Sequence, residues 1–156
     1  MPIPAWSRSR RRNAPRAMAG YSGKPLVQKL GIKPGFCIFV DGLSGAYADL
    51  VGELPDDVTI VKTAKAPLDM VHVFATEAKG FAASLRSYRK TIAPDGMIWA
   101  SWPKKASGVA TDVTETLVRE TALANGLVDI KVCAVDDVWS GLKLVIPVKD
   151  RAKVAR

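Results

Sequence analysis

Apolar and polar positions alternate along this chain in blocks that switch between two periods. "KPLVQKLGIKPG" (24–35) predicts a short helix, with Pro25 in its first turn, Gly31 at its end and Pro34-Gly35 as a turn. "FCIFVDG" (36–42) is a continuous apolar run, the pattern of a strand covered on both faces. Tyr47, Leu50, Val51 and Leu54 then fall at helical spacing and predict a helix near 45–53. "VTIV" (58–61) and "DMVHVFA" (69–75) read as the second and third strands. Thr76 is the expected cap of a helix whose inner stripe is Ala78, Phe81, Ala82, Leu85 and Ile92. Pro94-Asp95-Gly96 predicts a turn, and "MIWASW" (97–102) a fourth strand. Asp112 followed by Glu115 has the spacing of a capping box. It opens a helix with Val113, Leu117, Thr121 and Ala124 inward, ended by Asn125-Gly126. "LVDIKVCAV" and "LKLVIPV" flank "DDVWSG" and predict two antiparallel strands.

Strands alternating with helices imply an α/β fold: a three-layer, Rossmann-like sheet, mostly parallel, closed by a C-terminal antiparallel pair. One link strains this picture. Six residues, 63–68, join the second and third strands, where a parallel crossover ordinarily takes a dozen. Six extended residues span about 20 Å, barely the length of the return run. A crossover helix is therefore missing, and the order of these strands stays open.

A length of 156 residues suits one domain with a real core. The net charge of +8 suggests a polyanion partner until it is located. Five of the 23 basic residues sit in residues 1–17, with no acid. Four more, with one of the 15 acids, sit in 149–156, which leaves 14 basic and 14 acidic residues between Met18 and Val148. The expected organisation is a disordered basic leader (1–17), a single α/β domain (18–148) and a basic tail (149–156). Met18 is an alternative start. The leader has no apolar segment of the kind that directs secretion. No apolar run approaches the roughly 20 residues of a membrane span, so no membrane partner is expected. Two cysteines, Cys37 and Cys133, in predicted strands fit reduced thiols in a cytoplasmic protein.

A glycine-punctuated first strand, a parallel sheet and a final antiparallel pair resemble a class I methyltransferase truncated by one crossover helix. "MAGYSGKPLVQKLGIKPG" together with "WASWPKKASG" is similar to a bacterial family of small domains of unknown function, over about residues 18–148. The resemblance implies a fold and, through it, a cofactor loop. In the methyltransferase pattern an acid is followed by alternating glycines. In "DGLSGAY", Asp41 matches the acid and Gly45 one glycine, but Leu43 and Tyr47 stand where two others belong. The second strand would end in an acid that accepts ribose hydroxyls, and here Lys62 stands near that place, unable to accept a hydrogen bond. S-adenosylmethionine is therefore disfavoured by Leu43, Tyr47 and Lys62.

In an open α/β sheet, ligands settle beyond the carboxyl ends of the strands. The candidate binding residues there are Asp41, Gly42, Ser44, Gly45, Lys62, Ser101, Trp102, Lys104 and Lys105. The last four offer two ammonium groups beside an indole, a suitable cradle for an anion. Equally, Trp102-Pro103 packs the loop while both lysines reach for water. His72, alternating with Val71 and Val73, reads as a packed, hydrogen-bonded histidine, and Asp136-Asp137 as turn residues. The leading expectation is a small protein that binds an anionic ligand or a partner protein at the loop after the fourth strand, without ordinary catalysis. The alternative is a divergent S-adenosylmethionine-dependent methyltransferase. A weaker third class is an RNA- or ribosome-associated protein recruited by its tails, although the neutral core argues against specific nucleic-acid recognition.

Overall fold

A computed structural model describes residues 24–154. The expectations for the leader, and for residues 18–23 and 155–156, lie outside the described residues. Six strands form one sheet: β1 (Cys37–Asp41), β2 (Thr59–Val61), β3 (Leu68–Phe74), β4 (Ile92–Pro103), β5 (Val128–Ala134) and β6 (Trp139–Val145). Their order is β2-β1-β3-β4-β6-β5. The first four are parallel, and β6 pairs antiparallel with both β4 and β5. Among the described residues the sheet is accompanied by the α-helices α1 (Leu26–Leu30), α2 (Tyr47–Val51), α3 (Phe81–Thr91), α4 (Glu115–Ala124) and α5 (Val148–Val154).

The layers follow from strand alternation. Met70, Phe74, Trp99 and Ile38 face α1 and α2, packing with Val27, Leu30, Tyr47 and Val51. Val71, Val73, Ile98 and Ala100 face the other way, against Phe81 and Leu85 of α3 and Val118 and Ala122 of α4. The three-layer arrangement is thus as the pattern predicts.

The short link resolves in the register. Val61 ends β2 level with Phe39, and β3 starts at Leu68, two residues before the Met70 that pairs with Ile38. The return is about three residues along the strand and two strand spacings across, roughly 14 Å in all. The six residues 62–67 cover that without a helix, because β2 is only three residues long. β1 lies between β2 and β3, which settles the strand order left open by the sequence.

Three local expectations are corrected. Pro94-Asp95-Gly96 is no chain reversal: it is a bulge within β4, where pairing jumps from Leu68↔Ile92 to Met70↔Met97. Thr76 does not cap α3, which starts at Phe81 behind Gly80 in the left-handed region. Asp112 does not cap α4. The Thr114 hydroxyl does, accepting from the Leu117 amide at 3.1 Å, while Asp112 accepts the Ala78 amide at 2.7 Å. After β6 the chain enters α5, where the Arg151 guanidinium donates to the Ile146 carbonyl at 2.9 Å.

The C-terminal end of α1 is satisfied from the sheet. The fully buried Trp99 donates its indole N–H to the Leu30 carbonyl at 2.9 Å, and Lys131 Nζ donates to the Lys29 carbonyl at 2.8 Å. Both serve carbonyls that a helix end leaves unpaired. Trp99→Phe is expected to destabilise the fold by about 2 kcal/mol, from an orphaned buried carbonyl and a small void. Chemical denaturation at constant pH measures it.

Candidate functional site

The chain steps from β1 outward to β2, then returns past β1 to β3. The crossovers therefore diverge between β1 and β3, and in an open α/β sheet that divergence opens a crevice at the carboxyl ends. Here it holds the β1–α2 loop, residues 42–46. Gly42 (φ 85°) lies hard against the end of β3, where a Cβ would collide with the Phe74 carbonyl oxygen. Gly45 (φ 93°) has nothing within 4 Å of the place its Cβ would take. One glycine is needed for close approach, and the other leaves open space.

Two clefts are lined by this loop, and another lies beside it along Asp41. One, of about 230 Å³, runs between Asp41 and the β3–α3 segment, lined also by Thr76, Glu77, Lys79 and Ser84. A second, about 370 Å³ and largely apolar, lies toward β2 among Leu43, Gly45, Ala46, Leu54 and Ile60. The third, about 290 Å³, lies toward the closing hairpin among Leu43, Ser44, Asp49, Asp136 and Trp139. Leu43, Gly45 and Ala46 line both of the last two.

Asp41 is partly committed. Its Oδ2 accepts the Tyr88 hydroxyl at 2.6 Å. Burial raises the phenol of Tyr88 above its ordinary range, and the bond to Asp41 and its charge raise it further. The β3–α3 segment on the opposite wall is tied down by the chain ahead of α4. The Thr111 hydroxyl donates to the Thr76 carbonyl at 2.7 Å, and Asp112 holds Ala78. Asp136 Oδ1 accepts the amides of Val138 and Trp139 at 2.8 and 2.7 Å, so it shapes the turn that presents Trp139.

Beneath the loop lies a buried polar chain. The Tyr47 hydroxyl and His72 Nδ1 are 2.7 Å apart, and His72 Nε2 and Ser101 Oγ are 2.7 Å apart. Their exposures are 5 % for Tyr47, 0 % for His72 and 1 % for Ser101. Burial lowers the His72 pKa from 6.5 to about 3, so the ring is neutral near pH 7. Burial raises the Tyr47 phenol above its ordinary range. His72 stacks on Phe74 with centroids 4.2 Å apart, and Phe74 meets Trp139 edge-on at 5.1 Å.

The structure brings some candidate residues together and separates others. Asp41, Gly42, Ser44 and Gly45 gather at the switch point. Lys62 is exposed just past β2. The cradle imagined after β4 comes apart through strand alternation. Ser101 points to the α2 side and is spent on His72, while Trp102 points to the α3–α4 side and is 6 % exposed in the core. Lys104 is half-buried, its amide donating to the Val138 carbonyl at 2.7 Å, and Lys105 is exposed in a 3-10 turn over Lys105–Ser107. The indole therefore offers no open stacking face beside the two cations. The Tyr47 hydroxyl turns inward to His72, while Tyr47 still lines the apolar cleft toward β2. Sequence reasoning missed its bond to His72 and the lining role of Trp139. The one available signal was parity, since Met70, His72 and Phe74 share the α2 side of β3.

No family model matches the chain, and no curated protein matches it in sequence. Solved structures do resemble it. An S-adenosylmethionine-dependent methyltransferase from Aquifex aeolicus is 14% identical, with 83% of this chain and 92% of that chain covered and a TM-score of 0.57. The Methanococcus jannaschii fibrillarin pre-rRNA processing protein is 13% identical over 74% and 68%, TM-score 0.52. Aeropyrum pernix fibrillarin, solved with natively bound S-adenosyl-L-methionine, is 14% identical over 81% and 70%, TM-score 0.51. The chain thus has the class I methyltransferase fold in a shortened form. This likeness overturns the leading expectation of a non-catalytic binder of an anion or protein at the loop after β4.

Proposed function

We propose that the chain is a divergent S-adenosylmethionine-dependent methyltransferase that receives its methyl donor across the β1–α2 loop. The observation that carries this reading is the switch-point crevice, where clefts open on two sides of Gly45 and another lies along Asp41. The residues present suit such a group. Leu43, Ala46, Leu54 and Ile60 give an apolar seat for a nucleobase, and the open space at Gly45 lets backbone approach a ligand. Asp41 has one carboxylate oxygen bonded to Tyr88, and among the described residues the other has no partner. Asp41, Asp49 and Asp136 place negative charge around the loop, which favours a cationic group there. When bound, the donor supplies an electrophilic methyl on a positively charged sulfonium. Lys62 is the main departure, and it leaves the ribose hydroxyls without an acidic acceptor at the end of β2.

The acceptor side is the cleft between Asp41 and the Thr76–Gly80 segment. Its carboxylates, Asp41 and Glu77, and its hydroxyls, Thr76 and Ser84, orient an acceptor and draw on no histidine, because His72 is sealed beneath Tyr47. Two free thiols, Cys37 and Cys133, support a reducing, cytoplasmic setting. Among the described residues no helix is long and apolar enough to cross a membrane.

Calorimetric titration with S-adenosylmethionine and its demethylated product tests the reading. Saturable one-site binding is expected. Ala46→Trp, at an exposed position shared by two clefts, is expected to weaken it at least tenfold with an unchanged melting temperature. No heat from the wild type, or full binding by Ala46→Trp, contradicts the proposal.

A further inference from the structure

We infer that Tyr47, His72 and Ser101 form a positioning relay that holds the β1–α2 loop in its receiving shape. The inference rests on the methyl-donor reading and adds a role for three buried residues beneath the loop. Tyr47 is the first residue of α2 and directly follows Ala46, so its side chain decides where the loop ends. In the methyltransferase pattern a glycine belongs at this place, and a glycine anchors nothing. Here the phenol reaches down to His72 on β3, and His72 reaches across to Ser101 on β4.

Three features make the chain a tether rather than incidental packing. Both bonds are 2.7 Å long and buried, so water cannot replace a lost partner. A neutral imidazole has one donor and one acceptor nitrogen, so the two hydroxyls must take opposite roles and the bonds are coupled. Moreover, α2 is only five residues long, too short to hold itself, and among the described residues its N-cap Ala46 makes no side-chain capping bond. The fold makes room for the far anchor as well. Gly141 sits opposite Ser101 on β6, where a Cβ would come within 3.2 Å of Ser101 Oγ.

The test is amide hydrogen exchange on the full chain, with donor affinity measured beside it. Tyr47→Phe removes one hydroxyl and keeps the ring. It is expected to speed exchange in residues 47–52 at least tenfold, leave β4 and β6 amides unchanged, and weaken the donor about tenfold. Ser101→Ala touches neither loop nor α2, so an effect on residues 47–52 must pass through His72. About threefold faster exchange is expected there. The 15N shifts of His72 report one neutral tautomer in the wild type and move in both variants. Unchanged exchange in residues 47–52, an equal rise throughout the sheet, or undiminished donor affinity in Tyr47→Phe overturns the relay. If the wild type binds no donor, the methyltransferase reading fails, and the exchange data still decide whether the tether exists.

Discussion

Acidification from pH 7 to pH 4 is expected to remove about 3 kcal/mol of folding stability through His72 alone. The buried ring holds a folded-state pKa of about 3 against 6.5 when exposed. Its two polar partners, Tyr47 and Ser101, are uncharged hydroxyls that cannot compensate a buried imidazolium. Because the folded pKa is depressed, the unfolded chain takes up the proton first. The contribution is therefore complete above pH 6.5 and is lost as pH falls toward 3, where the total loss is on the order of 5 kcal/mol. His72→Asn, which keeps a polar group near Nδ1 but does not titrate, isolates the effect. Urea unfolding at pH 7 and pH 4 should show the wild type losing about 3 kcal/mol more than this variant. Equal losses would mean that His72 is solvated or charged in the fold.

Gly42→Ala is expected to cost about 3 kcal/mol and to abolish donor binding. Two penalties add. The left-handed backbone at φ 85° disfavours any L side chain, and the new methyl meets the Phe74 carbonyl, a backbone atom fixed in the central strand β3. Relief requires the loop to lift away from β3, which opens the floor of the switch point. Gly45→Ala is the matched control. It has the same backbone hand but open space, and is expected to cost only about 1 kcal/mol. Denaturation of the two variants, with calorimetry at matched concentration, separates backbone strain from collision. Equal costs would show that the contact with Phe74 contributes nothing.

Much of the layering was legible because burial writes itself into local pattern. The apolar run of β1, the alternation of β3 and the glycines at the ends of α1 and α4 each depend on neighbours in sequence. What failed depends on neighbours in space. The order of β2 and β3 could not be read because the length of the return depends on register, and β2 proved three residues long. Pro94-Asp95-Gly96 has turn chemistry, yet pairing with β3 on both sides absorbs it as a bulge. Asp112 has capping spacing, but a distant amide, that of Ala78, claims its carboxylate.

The candidate site divides along the same line. The β1–α2 loop was legible from topology alone, since a parallel sheet puts ligands at its carboxyl end. For the loop after β4 the packing alternative describes Trp102, because consecutive residues of a strand face opposite layers and Ser101 and Trp102 part company. The turn of the Tyr47 hydroxyl toward His72 could not be read, because the loop pattern assigns a residue type and says nothing of where a side chain turns. His72 supplies the reason it turns inward, and nothing local links positions 47 and 72.

The central claim, that a methyl donor sits at the β1–β3 switch point, is tested most directly by a crystal structure with S-adenosylhomocysteine. The account predicts an adenosyl group over Gly45 with its base against Leu43 and Ile60, and its amino-acid end toward Asp41 or Asp136. Density elsewhere on the sheet, or clefts still empty at saturating concentration, would contradict it.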